Sequence, residues 1–85
     1  MNWHFSRSPN AIKMIEGLPF EGQVALFEYI DQLEQDPIAA TTAWGEEDEI
    51  TREGIFGDGL GLISLFVNRE TGRITPLQIS WVGTH

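Results

Sequence analysis

The stretch Leu60-Gly61-Leu62-Ile63-Ser64-Leu65-Phe66-Val67-Asn68-Arg69-Glu70-Thr71-Gly72-Arg73-Ile74-Thr75-Pro76-Leu77-Gln78-Ile79-Ser80-Trp81-Val82 decides the fold. From Leu60 to Asn68, apolar Ile63, Leu65 and Val67 recur at every second position, the period of a strand with one face turned to a core. Asn68 to Gly72 supplies a hairpin loop, and Arg73 to Val82 reads as a second strand with Leu77, Ile79 and Trp81 as candidates for the same core. Pro76 has no N–H for a ladder, so that side of the strand is expected to face solvent or a bulge. Upstream, Ile50 to Phe56 reads as a further strand, joined through Asp58-Gly59, residues that tolerate positive φ in a tight turn.

Working outward to the amino terminus, Trp3 and Phe5 alternate with polar neighbours as a short strand ending near Arg7. Ser8-Pro9 is a helix start, with a hydroxyl to cap an orphan N–H and proline at the first helical position. Ala11, Ile12, Ile15 and Leu18 form one apolar face, and Gly17 and Pro19 close that helix. A second helix is predicted from about Phe20 to Gln35. Its Leu26, Tyr29, Ile30 and Leu33 fall at i, i+3, i+4 and i+7, opposite Glu21, Glu28, Asp31, Gln32 and Gln35. Asp36-Pro37 ends it, because proline disfavours a helical residue before it. Residues 38–48 lack a period and read as a loop into the acidic run Glu46-Glu47-Asp48-Glu49. The expected fold class is therefore α+β. It is one small domain over residues 1–85, ordered β-α-α-β-β-β, with a helical hairpin packed on one face of a mainly antiparallel four-stranded sheet.

The 85 residues, 41% hydrophobic with three Trp and five Phe, suit one folded domain with one core. No apolar run reaches a membrane span, and the first residues lack the basic and apolar regions of a signal peptide, so a cytoplasmic location is expected. The absence of cysteine excludes disulfides, thiol catalysis and thiolate metal sites. Net charge is -8, and twelve of the thirteen Asp and Glu lie between Glu16 and Asp58, where the opposing base is Arg52. Such a field repels phosphate backbones and attracts basic proteins, so tight direct binding of nucleic acid is not expected.

The chain resembles the RelE/ParE toxin superfamily, the small toxins of bacterial toxin–antitoxin pairs, as an acidic, divergent member. The resemblance runs through the opening Trp3-His4-Phe5-Ser6, the helix after Ser8-Pro9, the Leu18-Pro19 joint, and the second helix closing at Leu33 and Asp36-Pro37. It continues in Gly59-Leu60-Gly61-Leu62-Ile63 and in Asn68-Arg69-Glu70-Thr71-Gly72. It implies either messenger RNA cleavage on the ribosome or inhibition of a cellular target without a nuclease site, with an antitoxin wrapping the toxin. Where RNA-cleaving members present Lys and Arg on the exposed sheet face, this chain offers Arg52, Arg69 and Arg73. Where an Arg often starts the middle strand, it reads Gly59-Leu60-Gly61.

A metal-independent endoribonuclease needs a base, a phosphate clamp and an acid. The candidate catalytic set is Glu46 or Glu47 as base, Arg52 as clamp and His85 as acid, the last matching in position only a His of some family members. The bland alternatives are a solvated acidic run, an arginine paired with it, and a solvated terminal histidine. The acidic run lacks the alternating spacing of a calcium loop, and Gly57-Asp58-Gly59-Leu60-Gly61 lacks the lysine of a phosphate loop. No metal or other cofactor is expected. His4 lies on the strand face opposite Trp3 and Phe5 and reads as a partly exposed structural residue.

Val24 and Phe27 fall off the apolar face of the second helix, beside Glu28 and Asp31. Two readings stand: a wide core stripe with the first helix covering Phe27, or an exposed apolar patch rimmed with acid that receives a partner helix carrying basic residues. Val24, Phe27, Glu28 and Asp31 are the candidate partner-binding residues. Function is thus expected to run through protein contact with an antitoxin or a cellular target. The alternative is a non-enzymatic acidic binding, inhibitor or accessory protein on a toxin-like fold. A homodimer through the sheet edge or the second helix is compatible with both.

Overall fold

The computed structural model describes residues 2–43 and 51–83. In chain order its elements are strand β1 (His4–Phe5), helices α1 (Pro9–Glu16), α2 (Phe20–Gln35) and α3 (Pro37–Ala40), and strands β2 (Thr42–Ala43), β3 (Thr51–Phe56), β4 (Gly61–Asn68) and β5 (Arg73–Trp81). The sheet runs β1-β5-β4-β3-β2, with β1 parallel to β5 and every other pair antiparallel. The sheet of the described residues therefore has five strands where four were expected. The addition is β2, whose Thr42 and Ala43 pair with Glu53 and Arg52; two residues are too short to show a period.

Local chemistry sets the helix ends. Ser8 Oγ accepts the Ala11 N–H at 3.3 Å, and Pro9 occupies the first turn. The α2 helix stops at Asp36, which is extended at φ −158°, and the same residue starts α3 by accepting the Ile38 and Ala39 N–H groups on Oδ1. Part of the stretch read as a loop is therefore α3 and β2.

The alternation in β4 builds the core. Ile63, Leu65 and Val67 are at most 2% exposed, and they meet Leu26, Tyr29, Ile30 and Leu33 of α2 together with Phe5, Phe56 and Ile74 in one buried cluster. Each such side chain contributes about 1.5–3 kcal/mol by leaving water. The β5 strand does not keep the simple alternation. Its register moves from Leu65↔Pro76 to Ser64↔Gln78, which leaves Leu77 as the extra residue of a bulge. Ile74 and Pro76 are consequently buried, Ile79 and Trp81 half-buried, and Leu77, expected inside, is 51% exposed. The Ile74 carbonyl accepts from the Ser6 N–H, so Pro76, two residues on, presents the same side beyond the end of β1. No ladder donor is lost there.

One turn requires unusual backbone. Gly57, Asp58 and Gly59 all have positive φ, at 61°, 57° and 90°, and carry the chain from β3 into β4. At the opposite edge of the sheet, the outward Phe5 N–H of β1 donates to Glu34 Oε2 of α2 at 3.0 Å, which closes that edge to further pairing.

Candidate partner-binding surface

The α2 helix is apolar on two opposite sides. Leu26, Tyr29, Ile30 and Leu33 point into the core at 6% exposure or less, as their spacing predicts. Phe20, Val24 and Phe27 stand at i, i+4 and i+7 on the other side and are 81%, 41% and 47% exposed. Helix α1 adds Ile12, expected on its buried face but 45% exposed, whereas Ala11 and Leu18 are buried and Ile15 half-buried. Neither Val24 nor Phe27 is part of the buried core: α1 meets Phe27 along one side through Ile12 and Ile15 and leaves 47% of it open, and Val24 is 41% exposed.

Between the two helices lies a groove of about 270 Å³ lined by Arg7, Ile12, Ile15, Glu16, Gln23 and Phe27. Gln23 is fixed within this patch by donating its Nε2 to the Leu18 carbonyl at 3.0 Å. Exposed Glu16, Glu28 and Asp31 border it. The arrangement can bury apolar side chains from another chain while presenting carboxylates to their basic neighbours. Sequence reasoning named Val24, Phe27, Glu28 and Asp31 but missed Phe20 and Ile12. The signal for Phe20 was present: it lies four residues before Val24, on the same face.

Arg52 is 7% exposed and points inward from β3. Its Nε donates to Thr41 Oγ1 at 2.6 Å, and one terminal nitrogen donates to the Ile38 and Thr41 carbonyls at 3.2 and 3.1 Å. Beside it the Tyr29 hydroxyl donates to the Ala40 carbonyl. Two core side chains therefore satisfy the carbonyls at the end of α3, where no further helical N–H follows. Burial pushes the Tyr29 hydroxyl up to about 12, since the phenolate would lose hydration there. Gly54 makes this possible: a Cβ at that position would overlap the Tyr29 hydroxyl. The other three members of the candidate catalytic set, Glu46, Glu47 and His85, lie outside the described residues.

The sheet face away from the helices carries Ile55, Leu62 and Phe66, each exposed. Exposed Arg69 and Arg73 sit at the β4–β5 hairpin end, away from Arg52. His4 is exposed on the strand face opposite buried Phe5. Among the described residues no helix is long and apolar enough to cross a membrane.

No protein-family model matches the sequence, and no curated protein matches it. A chain of the RelBE2 toxin–antitoxin complex from Mycobacterium tuberculosis has a similar structure. The TM-score is 0.73 at 14% identity, over 95% of this chain and 99% of that one. The fold is RelE-like, an α+β fold whose helices lie against one side of a mixed sheet.

Proposed function

We propose that this RelE-like protein acts by protein contact in the cytoplasm, and that a partner of the antitoxin kind covers the outer stripe of α2. The observation that carries this reading is the second apolar stripe itself. Phe20, Val24 and Phe27, with Ile12, leave apolar area in water that the chain's own fold does not cover. Another chain laid over it recovers about 25 cal/mol per Å². Glu16, Glu28 and Asp31 at its border favour a basic partner and steer it at low salt. The structural neighbour, a chain of a toxin–antitoxin complex, supports a partner of that class.

Messenger RNA cleavage is not part of the proposal. A phosphate clamp needs a guanidinium turned to solvent, and Arg52 is 7% exposed, with its Nε and one terminal nitrogen bonded to Thr41 and Ile38. Purified protein is expected to leave RNA intact with and without ribosomes.

Induced expression tests the reading. Growth is expected to stop, to recover when the product of an adjacent reading frame is co-expressed, and to stay arrested when Val24→Ala/Phe27→Ala prevents that rescue. Harmless expression of the chain alone instead favours the second reading, an acidic inhibitor or accessory protein on the same fold. The net charge of -8 is the feature that supports that alternative.

A further inference from the structure

The two edges of the sheet are finished differently. At β1 the outward Phe5 N–H is taken by Glu34, whereas β3 runs past the start of its neighbour β2, whose described residues Thr42 and Ala43 pair with Glu53 and Arg52. The hydrogen-bond phase of the sheet shows what this leaves. Val82 N–H donates to the Leu60 carbonyl, so even-numbered residues at that end of β4 turn their main chain to β5 and odd-numbered ones to β3. Through the register Ile63↔Gly54 and Leu65↔Arg52, the even residues of β3 face β4 and the odd residues face β2. Glu53 thereby meets Thr42, and Ile55 is next in line on the same side.

The residue that would pair with Ile55 is Ala40. Its N–H is bonded to the Asp36 carbonyl within α3, and its carbonyl receives the Tyr29 hydroxyl. The helical turn thus withdraws Ala40 from the ladder. Among the described residues no main-chain group takes the Ile55 N–H or C=O on that side.

This open edge borders a cleft of about 570 Å³. Glu28 and Gln32 of α2 form one wall and Asp58 of the turn closes one end, while the small side chains of Ala25, Ala39 and Ala40 leave room inside. Side chains of an added strand alternate between two environments. One residue would lie on the outer face beside Ile55 and its cross-strand neighbour Leu62, both exposed and apolar. Its neighbours in sequence would point into the cleft, toward the carboxylates of Glu28 and Asp58.

We propose that the Ile55 edge of β3 is a strand-pairing site that takes an extended protein segment, with an apolar residue opposite Ile55 and a lysine or arginine beside it reaching Glu28. The site shares the Glu28 carboxylate with the border of the outer stripe of α2, but its lining includes none of that stripe's apolar residues. It would serve a partner's extended tail whether or not the same partner also covers Phe20 and Val24.

The test uses the whole chain and three blocked peptides alternating valine with lysine, with serine or with glutamate. The main-chain amide of each residue is followed by NMR, together with its hydrogen exchange. The lysine peptide is expected to bind most tightly, to slow exchange of the Ile55 amide, and to shift signals of Glu28 and Gly57. Glu28→Gln is expected to weaken the lysine peptide by about three- to tenfold, to the level of the serine peptide. Ile55→Pro, which removes the donor, abolishes binding of all three, and Phe27→Ala changes none. Unaltered exchange at Ile55 under saturating lysine peptide overturns the proposal, even if Ile55→Pro fails to fold. So does equal affinity for the lysine and glutamate peptides, or loss of binding in Phe27→Ala.

Discussion

The two sides of α2 have similar apolar content and opposite fates. Leu26, Tyr29, Ile30 and Leu33 are sealed against the sheet, and Phe20, Val24 and Phe27, on the far side, are left in water. The inner stripe is explained by the chain's own fold. The outer one is not, and neither helix propensity nor α1 packing calls for a phenylalanine that is 81% exposed at Phe20. The difference separates residues that build the core from residues that the proposed function assigns to association, within a single helix.

The largest expected effect breaks the inner side. Leu33→Ala or Leu65→Ala, each at a fully buried position, is expected to lower unfolding free energy by about 2–5 kcal/mol in urea titration. Gly54→Ala comes next. The new methyl must displace the Tyr29 hydroxyl, and the expected loss is about 1–3 kcal/mol with release of the Ala40 carbonyl.

Tyr29 sharpens the comparison through pH. Its folded-state value is raised from 10.0 to about 12, so the contribution of its buried neutral form is fully present below pH 10. Between about pH 10 and pH 12 the unfolded chain releases the proton while the folded chain keeps it, and stability falls by at most about 2–3 kcal/mol. The difference between wild type and Tyr29→Phe, measured by denaturant unfolding across that window, isolates this effect. A pH-independent difference would mean that the hydroxyl is not buried as described.

The smallest expected effect on stability belongs to the outer side. Val24→Ala and Phe20→Ala should each change unfolding free energy by about 0.5 kcal/mol or less, because little burial is lost and alanine favours the helix. A core-sized loss at either position would erase the distinction between the two stripes.

How much of this was legible beforehand follows the range of the interactions involved. The bounds of α2 and the inward residues of β4 depend on local period and on Pro37, and both stand in the sequence. Pro76 marked the place of the bulge, but not that Leu77 would be the residue turned out, because only the pairing with β4 decides which position is extra. Helix α3 and strand β2 escaped notice because four and two residues carry no period. They are held by Arg52 and Tyr29, distant in sequence. The same distance hid the role of Arg52, whose burial depends on the carbonyls of Ile38 and Thr41. For Val24 and Phe27 the helical spacing raised both a buried and an exposed reading, and the placement of α1 selects the exposed one.

The central claim is that the outer stripe of α2 holds a partner and contributes little to the fold. It is tested most directly by calorimetric titration of the product of an adjacent reading frame into wild type and Val24→Ala/Phe27→Ala, with melting curves of both. The account predicts a tight complex with wild type, weakened about thirtyfold or more in the double variant. The melting curves should differ by no more than about 1 kcal/mol in stability, within the usual range for substitutions outside the core. Equal affinity for the two proteins, or no complex with either, would contradict it.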